Sequence, residues 1–390
     1  MKKITSNLLF KVILAILLGI GIGLFIPESL GRIFATFNII FDQLLKFLIP
    51  LIIVGLIIPS IAKLGQSAGK LLLITVLIAY GSTLFSGFAT YYTSIAIFPS
   101  MLESQIANNS LAVEGKALLP YFNIEFPPFF DVMPALVFAF LIGIGLSKLQ
   151  NSTLEKVAID FESVITFLIE KLIIPLLPLF IFGIFLDMTY TGKVALILHV
   201  FLKIIGVIFL MHIVLLLIQF TLAGLIAKKN PIKLLLGMMP AYFTALGTQS
   251  SAATIPVTLA QTKKLGVSDD IANFCIPLCA TIHLAGSTLK IVACVVALML
   301  MQGMPIDPVL MAGFICMLGV AMVAAPGVPG GAIMAAIGII TSMLGFDAQN
   351  QALMISLYIA MDSFGTACNV TGDGAIAITL NTIFKKKETV

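Results

Sequence analysis

The stretch MDSFGTACNVTGD, Met361 to Asp373, sets two aspartates and an asparagine inside an otherwise apolar segment running from Ala348 to Phe384. At about 100° per residue, Asp362, Thr366, Asn369 and Asp373 fall within about 60° of one another on a helix, so they share one face. A charged aspartate at the centre of a bilayer costs about 2.5 to 3.5 kcal/mol on insertion scales, and such residues pair with a partner or line an ion or substrate path. No guanidinium is at hand, because Arg32, at the outer end of the first span, is the only arginine in the chain. Two structural alternatives stand beside the functional one. Asp362 could bond Lys290, and Asp373, nearer the inner end, could simply cap or hydrate.

Around this stretch the chain is built for lipid. Its 390 residues are 60% hydrophobic and 10% charged, where a soluble domain carries about 25% charged residues. Apolar runs long enough for about 30 Å of hydrocarbon recur from Leu8 to Ile26, Phe37 to Ile61, Leu71 to Phe98, Pro127 to Leu146, Val164 to Leu186 and Val194 to Ile226. The opening MKK precedes a long run without a small-residue cleavage site, which reads as a retained span rather than a secretory signal. The net charge of +4 sits in short lysine clusters between spans and points to no nucleic acid. All five cysteines lie in apolar segments, and Cys275 and Cys279, one turn apart near His283, read as small packing residues rather than a metal site. No Ser or Cys nucleophile shares helical spacing with a histidine and an acid, and His199 and His212 stand in apolar stretches, so the residues indicate neither an enzyme nor an organic cofactor.

Positively charged loops stay on the cytoplasmic side. Lys2 and Lys3, Lys63 and Lys70, Lys148 and Lys156, Lys228 to Lys233, Lys263 and Lys264, and Lys385 to Lys387 mark inner boundaries, while Glu28, Glu103, Glu114, Glu125, Asp187, Asp307 and Asp347 fall outside. Both termini are therefore expected in the cytoplasm, with the chain in the plasma (inner) membrane. Too few residues separate Lys233 from Lys263 for two crossings, so the intervening chain is predicted to dip in and return as a re-entrant hairpin. Its tip is GTQSSAATIP, Gly247 to Pro256, where small polar residues and a proline are expected to interrupt helix. A second hairpin, about Asp307 to Phe346, carries the tip APGVPGG, Ala325 to Gly331. Each is followed by one long helix with polar residues at mid-depth: PLCATIHLAGS, Pro277 to Ser287, and the opening stretch. Irregular backbone at membrane depth survives only where protein or a cavity surrounds it, and two such units entering from opposite faces form an inverted repeat around a central site. The expected fold is an all-α polytopic membrane protein: residues 1–230 as N-terminal spans, 231–384 as a core of two hairpins and two polar helices, and 385–390 as a cytoplasmic tail.

The chemistry of these groups suits a zwitterion. Asp362 offers a fixed negative charge to an ammonium group. Half-helix N-termini and tip N–H groups around Ser250, Ser251 and Val328 offer partial positive charge to a carboxylate, with Thr366 and Asn369 completing the hydrogen bonding. Asp373 and carbonyls freed at the breaks are hard oxygen donors suited to Na⁺. A dedicated anion pore fits poorly with an aspartate in the pocket and no ring of arginines.

These motifs, in order over residues 240–375, resemble the dicarboxylate/amino acid:cation symporter family, which includes the glutamate transporters. They are the SSAATIP tip, the PLCATIHLAGS segment, the GVPGG tip and the D-x-x-x-T-x-x-N-x-x-G-D helix. The resemblance implies eight spans, two re-entrant hairpins, a homotrimer held by the N-terminal scaffold, and elevator-type movement of the C-terminal half. It gives Asp362 the substrate amino group, and Asn369 with the Ser251 and Val328 backbones the carboxylate. Ser250, Ser287, Gly331 and Thr366 would line the same pocket. It makes Asp373 a cation ligand together with backbone oxygens of Cys279, His283 and Asn369, and places a further Na⁺ against the Thr281 backbone and the second hairpin.

Departures from the pattern bear on substrate and coupling. Acidic-substrate members hold the side-chain carboxylate with an arginine where this chain has Gly365, supported by a second that would fall at Gln249 or Ser363. A carboxylate buried without its cation pays several kcal/mol of desolvation, so a small neutral amino acid such as serine, threonine or alanine is expected, and the HLAGS segment looks more like bacterial serine/threonine sodium symporters. An acidic amino acid or dicarboxylate is the alternative. The family's N-M-D-G-T reads His283, Leu284, Ala285, Gly286, Ser287 here, which removes the Asn and Asp side chains of one sodium site. His283 could instead couple protons or sit neutral in a helix contact, and Lys290 could act as a tethered cation. Tyr80, Ser82 and Thr83 are further candidate oxygen ligands.

Overall fold

The computed structural model describes residues 8–66, 69–107, 118–149, 152–192, 194–325 and 329–385, and their regular structure is helical throughout. Leu8–Gly23 (α1), Glu28–Gln66 (α2), Lys70–Ala107 (α3), Val132–Ser147 (α4), Thr153–Leu168 (α5), Ile174–Tyr190 (α6) and Val194–Ala227 (α7) account for the apolar runs, with a π-helical segment, Ile169–Ile173, joining α5 to α6. The C-terminal half contains Pro231–Thr248 (α8), Ser251–Lys264 (α9), Asp269–Ile282 (α10), Ala285–Met301 (α11), Pro308–Val323 (α12), Gly331–Leu344 (α13), Ala348–Ala360 (α14) and Asp362–Lys385 (α15). Five helical stretches of the described residues are long and apolar enough to cross a membrane, and the bent pair α14–α15 makes six.

Two groups of contacts organise the chain. Helix α1 packs along α6 and α2 along α4, whereas α3 packs on α11 and α7 on α15. Each predicted hairpin is a pair of packed helices, α8 with α9 and α12 with α13. Their starts repeat one chemistry. Asn230 accepts from the Lys233 N–H ahead of Pro231, and Asp307 accepts from the Val309 N–H ahead of Pro308. A side-chain acceptor before a proline at the first helical position is a strong start signal, since proline lacks the N–H that would otherwise be orphaned.

The breaks fall partly where the sequence did not announce them. Pro256 does not interrupt the first tip; it lies inside α9, and the chain turns instead at Gln249, which adopts a left-handed conformation (φ 54°), and Ser250, which caps α9 through Ala253 N–H. As the sixth residue of α9 the proline forfeits one intrahelical bond, to the Ala252 carbonyl, and the helix continues through it. The segment from Ala348 to Phe384 is not one helix either: it breaks at Met361 with a bend of 59°. The partner segment breaks likewise at His283 and Leu284, whose backbones leave the helical region. Both helices expected to follow the hairpins are thus pairs of half-helices. Of the second tip, residues 326–328, including Val328, lie outside the described residues.

Helix α11 is the centre of the structure, buried from Ala285 to Met299 without interruption. Such all-round burial explains why its sequence has no amphipathic stripe. It crosses α15 closely: a Cβ at Gly286 would stand 2.7 Å from Cys368 Cβ and 2.8 Å from the Gly365 carbonyl oxygen. Gly286→Val is therefore expected to force the two helices apart and destabilise the fold by about 1–3 kcal/mol. Thermal melting of the detergent-solubilised protein reads this directly, and an unchanged melting temperature would show that the crossing is looser than described.

Candidate substrate and cation site

The break before α11 faces the middle of α15, and one α15 side chain supplies what it exposes. Breaking a helix orphans the N–H groups of its new first turn, and at α11 these are supplied from the neighbouring helix: Asn369 Oδ1 accepts from Gly286 N–H at 2.8 Å and Ser287 N–H at 3.3 Å. The same amide donates through Nδ2 to Ser287 Oγ at 3.0 Å, which also lies 3.2 Å from the Tyr358 hydroxyl. In the same first turn, Ser86 Oγ donates to the Ala285 carbonyl at 2.8 Å and His212 Nε2 to the Gly286 carbonyl at 3.0 Å.

Asp362 sits at the first position of α15, where the exposed N–H groups of a helix start favour an anion. Its two oxygens have different partners. Oδ1 accepts from the Lys290 ammonium at 3.1 Å, and Oδ2 from the backbone N–H of Gly330 at 2.9 Å. The Gly330 backbone has φ +75°, a conformation open to glycine at little cost, and it turns that N–H from the second hairpin tip toward the carboxylate. Lys290 is fully buried, with its ammonium 3.7 Å from the Tyr358 ring centroid and 3.4 Å from the Met361 carbonyl oxygen. The pairing that the sequence left open is therefore made.

About three turns further along α15 lies a second cluster. His283 Nδ1 is 2.9 Å from Asp373 Oδ1, and Nε2 is 3.1 Å from Ser82 Oγ, which accepts from Gln219 Nε2 at 3.0 Å. With Nδ1–H donating to the carboxylate and the Ser82 hydroxyl donating to Nε2, a neutral imidazole is satisfied at both nitrogens. His283 and Asp373 are both buried. The imidazole occupies the side of Asp373 that the sequence assigned to a cation.

The predicted residues fall into three sets. Ser287, Asp362, Gly365, Thr366 and Asn369 are brought together at the crossing of α11 and α15, all within buried or half-buried surroundings. Ser251 and Gly331 begin α9 and α13 and are buried, and the first tip is tied to α15 by Gln249 Nε2 donating to Ser363 Oγ at 2.8 Å, while Ser250 serves as the cap of α9. Cys279 is buried on α10, its carbonyl accepting from His283 N–H at 2.9 Å, with Asp373 on the facing helix. The Thr281 side chain is exposed and bonds back to Leu278. Sequence reasoning missed Tyr358 and Gln219, and set His212 aside. A signal existed for the last two: seven residues apart on the apolar α7, they share one helix face.

Against this geometry the comparisons with known proteins are specific. The family model for the sodium:dicarboxylate symporter family matches residues 8–383. The chain belongs to that family. Among curated relatives of this symporter, the serine/threonine transporter SstT of Acinetobacter baumannii is 29% identical over 385 residues, covering 94% of each chain. SstT of Acinetobacter baylyi is 26% identical over 391 residues, covering 96% of this chain and 97% of the relative. Human excitatory amino acid transporter 2 is 27% identical over 263 residues, 64% of this chain and 44% of that one.

The Lys290–Asp362 pair yields a stability prediction. Removing one partner of a buried ion pair leaves an uncompensated charge and costs about 3–5 kcal/mol, whereas replacing both is near neutral. Lys290→Met should lower the melting temperature sharply, and adding Asp362→Asn should recover most of the loss. A double variant as unstable as the sum of the singles would mean that the two side chains do not interact.

Proposed function

We propose that the chain is a sodium-coupled symporter importing a small neutral amino acid such as serine, threonine or alanine. The observation that carries the reading is the single Asp362 carboxylate at the Met361 helix break, bonded by the second hairpin tip, in a half of the chain without an arginine. Asp362 takes the substrate ammonium, and the N–H groups at the start of α9, from Ser251, together with the tip before Gly331, take the carboxylate. Ser287, Thr366 and Asn369 face the remainder, and Gly365 provides the bare backbone against which the Lys290 side chain lies. Where acidic-substrate relatives would hold a second arginine, the neutral Gln249–Ser363 hydrogen bond stands. The names of the relatives, serine/threonine transporters over nearly the whole chain, point the same way. We infer a multi-pass protein of the inner membrane, with cytoplasmic termini, residues 1–230 as scaffold of a homotrimer and 231–384 as a moving transport unit. The arms α12 and α13, 16 and 14 residues long, would reach about 24 and 21 Å at about 1.5 Å per residue, short of the ~30 Å hydrocarbon core. That supports a re-entrant hairpin.

In proteoliposomes with an imposed Na⁺ gradient, labelled serine should accumulate well ahead of labelled aspartate, and Asp362→Asn should abolish the uptake. Higher affinity for aspartate than for serine would reverse the substrate assignment in favour of an acidic solute.

One contact favours a second reading of the coupling. Na⁺ would bind Asp373 with backbone oxygens of Cys279, His283 and Asn369, but the His283 imidazole already bonds that carboxylate. A proton taken up on His283 would give an imidazolium beside Asp373 and require the Ser82 hydroxyl to turn from donor to acceptor. Imposing a pH gradient, acid outside, without Na⁺ separates the two. Serine uptake under the pH gradient alone, lost in His283→Asn, identifies proton coupling; uptake that follows Na⁺ alone removes it.

A further inference from the structure

We propose that Lys290 is the counter-ion of the substrate carboxylate, and that substrate binding is an exchange of partners in which the incoming ammonium takes Asp362 and Lys290 turns to the carboxylate. The inference rests on the amino-acid reading above and assigns a specificity-determining role to a residue which that reading does not use.

Three observations carry it. The first is that the group meant for the substrate ammonium already holds one: Lys290 Nζ is 3.1 Å from Asp362 Oδ1, with no solvent exposure at the lysine. A substrate amine binding at Asp362 must displace it. The second is that the displaced cation has no other anion to meet. The buried acids among the described residues are Asp42, Asp362 and Asp373, and Asp42 is bonded to Lys46 at 2.7 Å and Asp373 to His283 at 2.9 Å. A buried ammonium stripped of its counter-ion is strongly unfavourable, so the ligand must bring the anion with it. The third is the space. Gly365 exists where any Cβ would stand 2.4 Å from Lys290 Cε and 2.6 Å from Nζ, so the lysine lies against bare backbone, its ammonium over the Tyr358 ring face. This unbranched chain has four rotatable bonds and is anchored at one end only.

Charge arithmetic then selects the ligand class. Asp362 and Lys290 sum to zero, and a zwitterion adds one charge of each sign, so four charges alternate with none left over. An acidic amino acid adds an unmatched anion, a simple amine an unmatched cation. The same pair that stabilises the empty site thus discriminates among solutes.

The test uses purified full-length protein in nanodiscs, at saturating Na⁺, with calorimetric titration of two ligands: L-serine and L-serinamide, which keeps the ammonium but replaces the carboxylate by a neutral amide. Wild type should prefer serine. Lys290→Met should weaken serine by at least about thirtyfold, the scale for truncating one partner of a buried charge pair, while serinamide tightens and becomes the better ligand, since its lone cation now matches Asp362. Tighter serine binding in the variant would show that Lys290 only competes with substrate, and equal weakening of both ligands would show that it merely shapes the pocket; either overturns the exchange while leaving the amino-acid reading intact. Wild type that binds no serine overturns both. Should Lys290→Met fail to give monodisperse protein, Lys290→Gln takes its place with the same two ligands: serinamide should become the better ligand, and serine that still outbinds serinamide overturns the exchange.

Discussion

Everything in the C-terminal half depends on how the first turn of α11 is satisfied. A helix broken at membrane depth exposes N–H groups that neither lipid nor water can satisfy, and here the acceptor is the Asn369 amide on α15. The break at His283 and Leu284 can exist only while α15 is in register beside it. Conversely, Gly286 lets α15 approach closely enough for Asn369 to reach. The residue that looks most like a ligand in the sequence is, in this conformation, a structural cap with both ends engaged. A substrate carboxylate would have to share it.

Charge placement follows the same economy. Asp362 lies at a helix start and Asp373 about 16 Å along the same helix at about 1.5 Å per residue, and each meets one nitrogen-bearing side chain from the segment across the crossing: Lys290 from α11, and His283 from the break before it. The two buried acids of α15 are thus each partnered within the protein, Asp362 by an ammonium and Asp373 by an imidazole, at the two loci where a solute amine and a cation are proposed to bind. A carrier must release its cargo, and internal partners of this kind limit how tightly an external one is held.

Much of this was legible in the chain. Lysine clusters spaced too closely for two crossings located the first hairpin, and the Asn230–Pro231 and Asp307–Pro308 pairs, each a cap followed by proline, mark the repeat in local chemistry. The stripe of Asp362, Thr366, Asn369 and Asp373 survives as a buried face of α15. What could not be read was where helices stop without a proline or glycine signal. Met361 is a strong helix former at a break, and Pro256 sits inside a helix, because tertiary hydrogen bonds rather than local propensity decide both places. Lys290 could be named as a partner of Asp362, but its reach past Gly365 depends on the crossing distance of two segments about 70 residues apart. The chain of bonds from Gln219 through Ser82 to His283 joins α7 and α3 to the break before α11, and no spacing rule anticipates it.

The bond from Gly330 N–H to Asp362 Oδ2 has an electrical corollary. A hairpin tip anchored on an ionised group would drag a bare charge through the membrane field whenever the empty site crossed, at about 2.3 kcal/mol per charge for each 100 mV. With Lys290 on the other oxygen, that portion of the unloaded protein is electroneutral. In the movement proposed for this half, resting voltage would therefore do no net work on this pair.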